Sequence, residues 1–78
     1  MANTGETGEV TGTVDANYNL IWFTEKCLSN ALRLETYRAD AERAGDDELV
    51  DLFTRAQHES VKGGEQAKAL LARRLGTP

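Results

Sequence analysis

Cysteine occurs once in the chain, at Cys27, so an internal disulfide is excluded as the device that holds so small a protein together. Basic residues adjoin one another only at Arg73 and Arg74. With a formal net charge of -4 and a pI near 4.8, the chain lacks the clustered Lys and Arg that displace counterions from nucleic acid. Long apolar runs are missing as well. The longest, Leu20 to Phe23, falls far short of a membrane span, and the first residues carry neither the basic nor the apolar region of a signal peptide. The expected location is therefore cytoplasmic, with no nucleic-acid and no membrane partner. No glycine-rich loop follows a strand pattern, so no nucleotide cradle is indicated.

The 78 residues that are present make one domain at most, and a chain of this length buries a smaller fraction of its surface than an ordinary domain does. Without a disulfide, the remaining aids to stability are a metal or self-association. Residues 1–13 are mostly Gly, Thr and Glu with almost nothing to bury, which predicts a flexible tail. From Ala16 to Ala44 no Gly or Pro interrupts the chain, and Asp15 is placed to cap a helix there. Gly45 suits a left-handed C-terminal position. Asp46 suits the cap of a second helix whose first turn carries Asp47 and Glu48, on the favourable side of the helix dipole. Arg73 and Arg74 complement the far end before Gly76 and Pro78. The pattern predicts helices over about 15–44 and 46–75, joined as a tight antiparallel hairpin within a 14–76 domain.

On a helical wheel the first helix places Ile21, Leu28, Leu32 and Ala39 on one line, with Thr24, Ala31 and Glu35 beside it. Leu20, Phe23, Cys27, Leu34 and Ala41 form an adjoining strip. The second helix gathers Leu49, Leu52, Phe53, Ala56, Ser60, Gly63, Ala67, Leu70 and Leu71 on one side. Two apolar strips on one helix are too wide for a single partner helix. The economical solution is for two hairpins to pair into a four-helix bundle, as a homodimer or higher homo-oligomer. Tyr18 and Trp22 lie off the main line, available to pack across a partner.

Glu35 is the anomaly of this pattern, since a carboxylate on an apolar arc must be hydrogen-bonded, neutralised or bound to a cation. In di-iron bundles the facing helix supplies Glu-x-x-His, whose spacing of three sets both ligands on one face. His58 does not meet that spacing and falls on the polar side with Asp51 and Lys62. Glu59 sits at the edge of the buried arc. Turned inward, it would join Glu35 in an oxygen-rich metal site. The competing expectation is a structural Glu35 that bonds Ser60, a buried water or its symmetry copy, with its pKa raised. Cys27 has no adjacent base and is read as a structural thiol. Glu35 with Arg38, and Asp51 with Arg55, are spaced for helix-supporting pairs.

The stretch LETYRADAERAGDDELVDLF resembles the helical hairpin of ferritin-like and rubrerythrin-like proteins, in which a Glu two residues before a Tyr lies inside a bundle and a Gly-Asp turn leads to the next helix. The resemblance extends over about Tyr18 to Leu75. It implies that Glu35 matches the family's first metal-binding glutamate and Tyr37 its neighbouring tyrosine. The second helix departs from the pattern. Aligned with the family's Lys-His-small-Glu run, VKGGEQAKALL places Gly63 where a ligand histidine would stand and Ser60 where its partner glutamate would. A di-iron or manganese site needs several converging carboxylates and imidazoles, and two of the three ligands per chain are missing. The expected function is a non-catalytic ferritin-like bundle serving oligomerisation, scaffolding or regulation, without a cofactor. The alternatives are an iron- or manganese-binding protein with its site between two chains, and a subunit or cargo recruited by a protein partner through the N-terminal tail.

Overall fold

A computed structural model describes residues 8–76 as two helices, α1 (Asp15–Arg43) and α2 (Asp47–Leu75), packed against each other as an antiparallel hairpin. The expected boundaries hold to within a residue at each end. Met1 to Thr7, the first half of the expected tail, lie outside the described residues. Gly8 to Thr13 form turns, closed by the Gly12 N–H donating to the Gly8 carbonyl at 3.0 Å and by the Thr11 hydroxyl, which takes the Thr13 N–H at 3.1 Å.

The turn between the helices follows from its residues. Gly45 adopts a φ of +70°, a conformation in which any Cβ would be strained. Its N–H donates to the Glu42 carbonyl at 3.0 Å, and the Asp46 N–H reaches back to the Ala41 carbonyl at 3.0 Å, the paired bonds of a Schellman ending. Asp46 then caps α2, its carboxylate accepting the Leu49 N–H at 3.2 Å. At the other end the expectation fails. Val14, not Asp15, is the N-cap of α1, and Asp15 enters the helix with one carboxylate oxygen buried and unpartnered. Asp15 still lies on the favourable side of the α1 dipole.

Two helices make only one layer. The Cα extents are 52 × 24 × 13 Å, and the radius of gyration is 16.4 Å, against about 11 Å for a compact domain of this length. The strip containing Leu20, Cys27, Leu34 and Ala41 faces α2, and Leu34, Ala41 and Ala67 are buried. Thr24 is buried too, and its hydroxyl is satisfied by the Leu20 carbonyl at 2.7 Å. The Ile21–Leu28–Leu32 line remains open, with Leu28 41% and Leu32 76% exposed, and on α2 Leu52 is 49% exposed. Among the described residues no large side chain is fully buried. The accessible surface is 5828 Å², whereas a compact folded chain of 8.6 kDa presents about 4,700 Å².

Glycine governs how closely the helices approach. A Cβ on Gly64 would stand 3.3 Å from Leu28 Cδ2 and 3.5 Å from Cys27 Cβ, and one on Gly63 would stand 3.3 Å from Cys27 Sγ. Two adjacent glycines within a helix cost roughly 1–2 kcal/mol relative to two alanines, and here they let α1 and α2 touch near their midpoints.

Candidate functional site

Glu35 lies two turns before the end of α1, at the border of the interhelical seam. Its side chain is 54% exposed in the single chain. Arg38, one turn on, binds both of its oxygens, Nη2 to Oε2 at 2.8 Å and Nε to Oε1 at 3.4 Å, while its other nitrogen, Nη1, reaches Glu42 at 3.0 Å. Gln57 of α2 donates to Glu35 Oε1 at 3.1 Å and to the Ala31 carbonyl at 3.0 Å. These donors stabilise the ionised carboxylate, Arg38 foremost and Gln57 second, and hold its pKa below the ordinary glutamate value. The raised pKa expected from burial is thus reversed, because donors surround the charged form and burial contributes least. Arg38 is shifted the opposite way, its guanidinium held protonated by Glu35 and Glu42.

The expected bond between Glu35 and Ser60 does not form. Ser60 accepts from Asn30 Nδ2 at 2.7 Å. Asn30 and Glu35 stand about 140° apart around α1, so the two cross-helix polar contacts fall on opposite sides of the seam. Tyr37 turns away as well and packs on Phe53, ring centroids 5.6 Å apart and tilted by 56°. Glu59 is exposed. Within one chain, Glu35, Tyr37, Glu59 and Ser60 do not converge. Among the described residues no group of three His, Cys, Asp or Glu side chains is placed to hold a metal ion. His58 is exposed, as its wheel position suggested, and Cys27 is a half-buried free thiol. Both anticipated helix pairs are present, Arg38 with Glu35 and Arg55 with Asp51, the latter at 3.5 Å.

Asn30 and Gln57 are the residues that the wheel overlooked. Each carries an amide across the seam to a polar group on the other helix, and together they fix its register from both sides. Beside Asn30 an open groove of about 590 Å³ is lined by Trp22, Lys26, Cys27, Arg33 and Ser60 among others. Lys26 sits 5.0 Å from the Trp22 ring and 3.3 Å from Glu25, so its charge is already engaged. Among the described residues no helix is long and apolar enough to cross a membrane. Comparison of the chain with protein-family models, with curated proteins and with solved structures returns no match.

Proposed function

We propose that this chain is a non-catalytic, ferritin-like oligomerisation module, whose working form is a helical bundle made from at least two hairpins. One observation carries the reading: a single layer of two helices leaves Ile21, Leu28 and Leu32 open on one side and Leu49 and Leu52 open elsewhere. The accessible surface exceeds that of a compact chain of this mass by roughly 1,100 Å², in keeping with a single helical layer that has no second layer packed on it. A line of exposed large apolar side chains such as Ile21, Leu28 and Leu32 is a contact surface or an aggregation hazard. A structural role for Glu35 is supported by its partners, since a cation would have to displace Arg38 and Gln57 to reach it.

Sedimentation equilibrium of the full chain at micromolar concentration tests the proposal. The expected result is a discrete dimer or higher oligomer. A stably folded single chain, with Leu28 and Leu52 left in water, would overturn it. Stoichiometric iron or manganese in the purified oligomer, lost with Glu35→Ala, would transfer the function to metal binding.

A further inference from the structure

We infer that the second copy docks antiparallel, turn against open end, across the face marked by Ile21, Leu28 and Leu32; this rests on the self-association proposed above. The charges are strongly polarised along the rod. Between Asp40 and Asp51, around the turn, stand six acidic residues and one basic, Arg43. From Lys62 to Leu75 stand four basic residues, Lys62, Lys68, Arg73 and Arg74, against one acidic, Glu65. Counting Glu9 and Asp15 at the neighbouring start of α1, the described residues of the open end still carry one net positive charge, against five net negative at the turn. A parallel pair would set the acidic turn against its own copy, where like charges within a Debye length of about 10 Å repel. An antiparallel pair sets each acidic turn against a basic end, twice per dimer.

The choice of face follows from what lies at the middle of the rod. A twofold axis relating antiparallel copies passes near the helix midpoints, so the groups there meet their own duplicates. On one face those groups are Leu28 and Leu32, at the centre of an Ile21–Leu28–Leu32–Ala39 line whose flanking carboxylates, Glu25 and Glu35, are each paired within their own chain, with Lys26 and Arg38. The groove on the other side of the seam holds Lys26, Asn30 and Arg33. Trp22 and Cys27 line that groove too, but a twofold there would set Asn30 and Arg33 against their own copies, whereas the leucine face places Leu28 and Leu32 at the centre, where stable interfaces are most apolar.

The test is an orientation measurement on the full-length chain, carrying Cys27→Ser and a spin label at Ala44→Cys beside the turn. Antiparallel docking places the two labels about 40 Å apart in pulsed EPR, one helix length at 1.5 Å per residue, and parallel docking brings them within roughly 20 Å. In parallel, Arg73→Glu with Arg74→Glu should weaken homodimerisation about tenfold in low salt, with helicity retained by circular dichroism. Mixing it with a variant carrying Asp47→Lys and Asp51→Lys should restore pairing. A short distance in a stable dimer, or a charge reversal that leaves dimerisation unchanged, overturns the antiparallel arrangement while self-association stands. Retained dimerisation in Leu32→Glu, combined with its loss in Leu52→Glu, overturns the choice of face. A labelled chain that sediments as a monomer removes both.

Discussion

Glu35 shows how a residue can sit on an apolar arc and yet remain charged. Its carboxylate reaches the edge of the seam, where Arg38 on its own helix and Gln57 on the other supply donors. Because these bonds favour the ionised form, Glu35 contributes stability at pH values above the glutamate pKa of the unfolded chain, near 4.5. That contribution fades as pH falls through the lower folded-state value. In a carbon-13 NMR titration the Glu35 carboxyl should therefore titrate below the usual glutamate range and move back toward it in Arg38→Ala, with a smaller return in Gln57→Ala. A carboxyl that titrates at or above the ordinary value in the wild type would refute the donor arrangement. At the turn, Asp46→Ala removes the acceptor for the Leu49 N–H and should cost about 1 kcal/mol in urea unfolding at fixed protein concentration, whereas Asp46→Asn should cost much less. Equal loss in both would mean that the charge, rather than the cap, is what matters there.

At the scale of the helix, most of the hairpin was legible. A run without Gly or Pro, then Gly45-Asp46, then dipole-matched charges at both ends of α2, predicts two helices and their turn because each signal is local. Asp15 was misplaced because a side chain able to cap does not say whether the chain enters the helix one residue earlier, and here it enters at Val14. The contact around Glu35 was illegible for a different reason. A wheel ranks faces of one helix, but the partner of each residue depends on register across the turn. With the turn at Gly45, facing residues have numbers that sum to about 90, as Asn30 and Ser60, Cys27 and Gly63, and Tyr37 and Phe53 do. That relation assigns Ser60 to Asn30 and leaves Glu35 for Gln57. It also explains the glycines, which lie opposite Cys27 and Leu28. Gly64→Ala should be within about 1 kcal/mol of neutral, since the gain in helix propensity offsets a contact that the half-exposed Leu28 can relieve. Gly64→Val adds bulk with no room beside Cys27 and should lose about 2 kcal/mol. Wild-type urea unfolding for Gly64→Val would show that close approach at this point does not hold the helices.

For the whole molecule, the proposed self-association would tie stability to assembly. Few residues are buried in one hairpin, and a core of this size is marginal for a chain without disulfides. If the open faces find their partner in a second copy, folding and association share one free energy, and the transition must depend on concentration. A tenfold rise in chain concentration favours the folded dimer by about 1.4 kcal/mol, which for a dimer of this combined size raises Tm by roughly 3–6 °C. Leu32→Glu places a charge at the centre of the leucine face without disturbing the seam, because Leu32 is 76% exposed in the single chain. It should lower Tm and flatten the concentration dependence together. Ala44→Glu, exposed at the turn, should leave the slope unchanged. A Tm independent of concentration across two decades, in a chain that still melts cooperatively, would mean that one hairpin is sufficient and that its apolar line serves something other than its own kind.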